Sequence, residues 1–194
     1  MKKTHLGIAL ATLALFCTGC WQKSVHPFYQ DNQVLFEDKL LGTWQEPKED
    51  DHSQSWRFQR GRGDSYELVV QDDDTRLEFD ARLFTLGESR FLDLYSRKRS
   101  VSEIPAHHLF RVVSVDSSLE IQILSGSWIK DWVNAHPKDI AHVRAPDPDE
   151  PDNLDKGEFV LTADTKTLQQ FVLAHLHDEG FFDKTGELRK LEQP

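Results

Sequence analysis

Few residues in this chain are equipped for covalent or metal chemistry. Its two cysteines, Cys17 and Cys20, both fall within the first 20 residues. The rest of the chain therefore has no thiol for a disulfide, a nucleophile or a Cys-ligated metal. His107 and His108 are adjacent and would diverge on a strand, where successive side chains face opposite ways. His175 and His177 do not share a helix face, and a helical metal pair needs i and i+4. His175 falls on the same stripe as Leu168 and reads as a core histidine. Asp147, Asp149, Asp152 and Asp155 crowd a proline-rich stretch. A calcium loop starting at Asp147 would need Asp or Asn fifth and Gly sixth, but Pro151 and Asp152 stand there. The chain contains no His-Glu-x-x-His, Gly-x-Ser-x-Gly or phosphate loop. No catalytic residue, cofactor or metal ligand is assigned.

Cys20 is the exception. Met1-Lys2-Lys3 is a short basic start, Leu6 to Phe16 is apolar, and Thr18-Gly19 supplies small residues before the thiol. Such a segment is a secretory signal, too short for a stable membrane span. Its Thr-Gly-Cys end resembles a bacterial lipobox, although Cys17 stands where leucine is usual. That resemblance implies cleavage before Cys20, diacylation of its sulfur and acylation of its new amino group. Each buried methylene adds ~0.8 kcal/mol, and two or three chains anchor far more firmly than one. Trp21 rather than Asp follows the cysteine. By resemblance to Gram-negative lipoprotein sorting, this implies the outer membrane rather than the inner.

Two further groups are candidate contacts. Arg97-Lys98-Arg99, with Arg90 nearby, is a basic cluster in a chain of formal net charge -10. It could meet anionic headgroups or an anionic ligand. Trp128 and Trp132 share a helix face with Ile129 and Val133 and could line a ligand site or pack on a sheet. Without Lys2 and Lys3 of the leader the charge becomes -12. That balance argues against nucleic acid as a partner, because phosphate contacts need clustered Lys and Arg. Arg62-Gly63-Asp64 spells an adhesion tripeptide, but its glycines and Asp are ordinary turn chemistry.

The elements that must position these residues are mostly strands. Trp56 and Phe58 lie on one face of 54–60; Tyr66, Leu68 and Val70 alternate after a Gly-rich turn; Leu77, Phe79, Ala81 and Leu83 alternate with Glu78, Asp80 and Arg82. A period of two marks strands with one buried face. Runs at 91–95, 109–115 and 119–124 continue the pattern across tight turns. Counting 42–46, seven strands precede residue 125, and a meander that long curls to remove its edges. Ser125 is placed to cap a helix near 126–136, and Thr162 one near 163–177, with a last strand at 159–161. The fold expected is mainly β: an antiparallel meander curled into a barrel or a two-layer sandwich, with two short helices in the C-terminal half. The expected divisions are a signal peptide at 1–19, a tether at 20–39, a globular domain at 40–183 and a tail at 184–194.

Leu40-Leu41-Gly42-Thr43-Trp44 opens the meander. A Gly-x-Trp at this position resembles the entry to lipocalin-type barrels, which implies that Gly42 bends the chain and Trp44 covers one end. Together with Cys20, His26-Pro27-Phe28-Tyr29 and Val34-Leu35-Phe36, it resembles an uncharacterised family of bacterial lipoproteins. That resemblance implies an envelope location and a small β-rich domain, but no activity or catalytic residue. The function expected is a lipid-anchored, non-enzymatic module that binds a small apolar ligand or lipid. The alternative is a structural protein that binds another envelope protein.

Overall fold

The computed structural model describes residues 21–47, 54–97, 105–146 and 157–191. Cys20, Lys98, Arg99 and the acidic loop with its candidate calcium ligands lie outside the described residues. In chain order the elements are β1 (Lys23–Ser24), β2 (Val34–Leu35), β3 (Gly42–Gln45), β4 (Ser55–Arg60), β5 (Tyr66–Gln71), β6 (Arg76–Leu86), β7 (Ser89–Ser96), β8 (His107–Val115) and β9 (Ser118–Ile123). Then come α1 (Gly126–Ala135), β10 (His142–Ala145), β11 (Glu158–Leu161), α2 (Thr165–His175) and β12 (Gly186–Lys190).

Strands β3 to β9 pair antiparallel, each with the next, in the meander that their alternation implies. The ring is closed by β12, which pairs antiparallel with both β3 and β9. The result is a closed eight-stranded antiparallel barrel, the lipocalin-like alternative of the two expected. Residues 186–190, which the sequence suggested belong to a tail, are thus a wall strand. Only Gly186 and Leu188 face inward there, too few apolar positions to announce a strand. Outside the ring, β10, β11 and β1 extend the sheet from β8, and β2 pairs with β6 beyond the end of β5.

Two cores result from the two faces of the wall. The inner one gathers Trp44, Trp56, Phe58, Tyr66, Leu83, Leu92, Phe110 and Ile121 with their neighbours. The outer one lies between the wall and the helices, where Phe84, Phe91 and Leu109 meet Ile129, Val133, Leu168 and Phe171. This second core explains why strict alternation ends near Phe84: outward positions there are covered by helix rather than water. Ser125 caps α1 as expected, its hydroxyl accepting from the Trp128 N–H. Asp164, not Thr162, caps α2; its carboxylate accepts from the Thr167 N–H at 3.1 Å. Aspartate is the stronger cap, and its charge suits the positive end of the helix.

The stretch expected to be a tether is pinned to the domain by buried side chains, although Val25, His26 and 30–32 are exposed. Trp21 is only 5% exposed and its indole enters the inner core, with ring centroids 5.0 Å from Phe110 and 5.5 Å from His108. Phe28 is buried in the outer core, and Phe36 stacks on Tyr66 at 4.6 Å. Burying these aromatics outweighs the entropy of leaving the segment free.

Candidate functional site

Among the described residues the barrel interior is closely filled by side chains. Trp44, Trp56, Tyr66, Leu83, Leu92, Leu94, Phe110, Leu119 and Ile121 each have 0% relative exposure. A void able to hold even one water would give its lining some accessible surface, and these side chains have none. Eight strands leave an interior just wide enough for side chains to fill, and here large aromatics fill it.

A groove of about 780 Å³ lies instead on the outside of the wall. Alternation along β5 to β8 turns Glu67, Asp80, Arg82, Asp93, Tyr95 and His107 away from the inner core and into this groove. The N-terminal segment, through Val25, Pro27 and Tyr29, forms one side, and Arg62 and Ser65 of the β4–β5 turn contribute another part of the lining. At its base Asp93 is 1% exposed. One carboxylate oxygen accepts from the Phe28 N–H at 2.8 Å, and the other pairs with His107 Nδ1 at 2.6 Å. A buried carboxylate needs such partners, and this one pins the N-terminal segment to the wall. The Tyr95 ring lies 4.6 Å from that of His107. Among the described residues no hydroxyl is hydrogen-bonded to His107.

Above this base, Arg82 donates from Nε to the Tyr29 hydroxyl at 2.8 Å. Burial pushes the Tyr29 phenol up from its ordinary pKa, against the pull of Arg82. Arg97 donates from Nε to Asp80 and from Nη2 to Glu67, each at 2.9 Å. Its hydrogen bond and charge hold the Glu67 carboxyl below its usual range.

The residues singled out in the sequence are dispersed. Arg97 reaches the groove, but Arg90 does not share a cluster with it. Arg90 lies near the start of β7 and Arg97 just past its end, and Arg90 Nη1 holds Glu37 at 2.9 and 3.1 Å. Trp128 and Trp132 stack on each other at 5.1 Å, half-buried between the helices against Phe171 and His175. His175 is half-buried with Nδ1 paired to Asp178 at 2.7 Å. His107 and His108 diverge as expected: one meets Asp93, the other the Trp21 ring. Gly42 has φ of +120°, a conformation that favours glycine, and a Cβ there would lie 3.1 Å from Lys190 Cε. Trp44 is fully buried, with Nε1 donating to the Leu40 carbonyl at 2.8 Å. Among the described residues no group of His, Cys, Asp and Glu is placed to hold a metal ion, and no helix is long and apolar enough to cross a bilayer.

Asp93, Arg82, Tyr29 and His107 were not picked out together from the sequence. The signal available was Asp93 itself, a carboxylate between Leu92 and Leu94 in a strand of mostly apolar residues. Its partners come from positions 28 and 107, and pairings at that separation leave no local pattern. Comparison with known protein families, curated proteins and solved structures finds no match to this chain.

Proposed function

We propose that the chain is a lipid-anchored lipoprotein of the bacterial envelope, of the outer rather than the inner membrane, held through acylated Cys20. It works as a binding module that uses the outside of its barrel. The anchor reading is supported by the basic start, the apolar run and Thr18-Gly19-Cys20. The binding reading is carried by one observation: the interior is full while a polar groove is built into the outer wall. An apolar ligand or lipid would be taken at the outer surface, because the inner side chains have at most a few per cent of their surface to offer it.

The anchor would have no slack. Trp21 is fixed in the inner core, and consecutive Cα atoms are ~3.8 Å apart. Acyl chains on Cys20 would therefore hold the barrel itself at the bilayer. Cys20→Ser should leave an unprocessed or soluble protein that takes up no acyl label. Unchanged fractionation and labelling would overturn the anchor reading. Native mass spectrometry of the domain purified from its own envelope tests the binding reading. A retained guest that is lost when the groove is altered supports it, and a guest indifferent to groove substitutions refutes it.

A further inference from the structure

The binding reading above leaves open what the groove takes, and its hydrogen bonds narrow the answer. All three of its carboxylates are engaged. Glu67 and Asp80 accept from Arg97, and the two oxygens of Asp93 meet the Phe28 N–H and His107. Two of its three guanidiniums form no direct ion pair, although Arg82 stands opposite Asp93 in the β6–β7 pairing and the charge of Arg62 acts on Glu67. Arg82 is half-buried, and its one hydrogen bond goes from Nε to Tyr29. That phenol is neutral at pH 7, and burial raises its pKa further, so it is no counter-ion. The terminal nitrogens of Arg82 have no partner among the described residues. Arg62, exposed in the β4–β5 turn, accepts from the Ser65 hydroxyl through its carbonyl, while its guanidinium forms no hydrogen bond or ion pair among the described residues and lines the same groove.

The carboxylate opposite Arg82 is already engaged by the Phe28 N–H and His107, so this partly desolvated guanidinium keeps donors to offer a further anion. Its planar fork of donors matches carboxylate and phosphate oxygens. Tyr29 fixes one edge of that fork and so orients the remaining donors before any ligand arrives, which lowers the entropy lost on binding. The chain as a whole carries a formal charge of -10 and repels anions at long range. An anion that binds must therefore find local donors.

We propose that the wall groove binds the carboxylate or phosphate group of a small acidic ligand, with Arg82 as its principal donor and Arg62 adding a second positive charge. The test uses the leaderless chain carrying Cys20→Ser, labelled with ¹⁵N and titrated at pH 7 with inorganic phosphate, with acetate, and with neutral acetamide. Phosphate or acetate should shift the Arg82 Nε and the His107 and Tyr95 amides along saturable curves, and acetamide should not. Which of the two anions binds more tightly separates a phosphate ligand from a carboxylate one. Arg82→Gln should weaken that binding tenfold or more. Arg62→Gln, in an exposed turn, should weaken it several-fold with the spectrum otherwise unchanged. If acetamide shifts the groove as acetate does, recognition by charge is refuted while the groove remains a binding site. If neither anion gives a saturable shift, or Arg82→Gln titrates like the parent with its fold intact, the proposal is overturned.

Discussion

Replacing Trp21 by alanine separates a structural N-terminus from a spacer. As a spacer residue Trp21 would contribute almost nothing to stability. In the structure it is 5% exposed, and its indole lies among Trp56, Phe79, His108 and Phe110 at centroid distances of 5.0 to 6.5 Å. Trp21 also forms an antiparallel bridge with Ser125, the residue that caps α1. Deleting a buried tryptophan side chain costs ~3–5 kcal/mol, through lost transfer energy and the cavity left behind. A domain of this size has a total stability of ~5–15 kcal/mol, and each kcal/mol moves its melting temperature by ~2–4 °C. Trp21→Ala should thus lower the melting temperature by ~6–20 °C. Trp44→Ala, in the same core, should act on the same scale. The assay is differential scanning calorimetry of leaderless Cys20→Ser chains. If Trp21→Ala melts within ~2 °C of its parent, the segment is not part of the core and the direct coupling proposed between Cys20 and the barrel is wrong.

Two other outcomes follow from the packing. His108 is buried in the inner core, and burial lowers its pKa from 6.5 to about 4. The unfolded chain therefore binds a proton that the folded chain refuses between those values, so stability should be full above pH ~6.5 and fall by ~3 kcal/mol as pH drops toward 4. Urea denaturation across that range, compared with His108→Phe, should show the slope shrink in the variant; an equal slope would contradict it. Deleting 186–194 removes the strand that pairs with β3 and β9. Two edges are then exposed, and sedimentation should show association or unfolding instead of a compact monomer.

The legible part of this fold was the part with local repetition. Strands β3 to β9 announce themselves because Leu68 and Val70, or Phe79 and Ala81, alternate with polar residues across short turns. The Ser125 cap was equally local. What escaped notice has little periodicity of its own. Strands β1 and β2 have two residues each and take their conformation from distant partners. Strand β12 carries one apolar side chain, Leu188, and is defined by the gap it fills. The groove escaped for the same reason. Arg97 stands out in the sequence because basic neighbours follow it, yet its own charge is spent on Glu67 and Asp80. Arg82 read as one more outward residue of an alternating strand. Only the fold sets it beside Tyr29, 53 positions away.

The most direct test of recognition outside a full barrel uses the chain's five tryptophans as reporters. Trp21, Trp44 and Trp56 lie in the inner core, and Trp128 and Trp132 lie on the outside, between the helices. Fluorotryptophan-labelled chain can be titrated with the neutral apolar probe N-phenyl-1-naphthylamine and followed by ¹⁹F NMR. A full barrel leaves the resonances of Trp21, Trp44 and Trp56 unmoved at every probe concentration. Saturable shifts of Trp44 and Trp56 would show an apolar guest inside the barrel, and recognition would have to be moved from the outer wall to the interior.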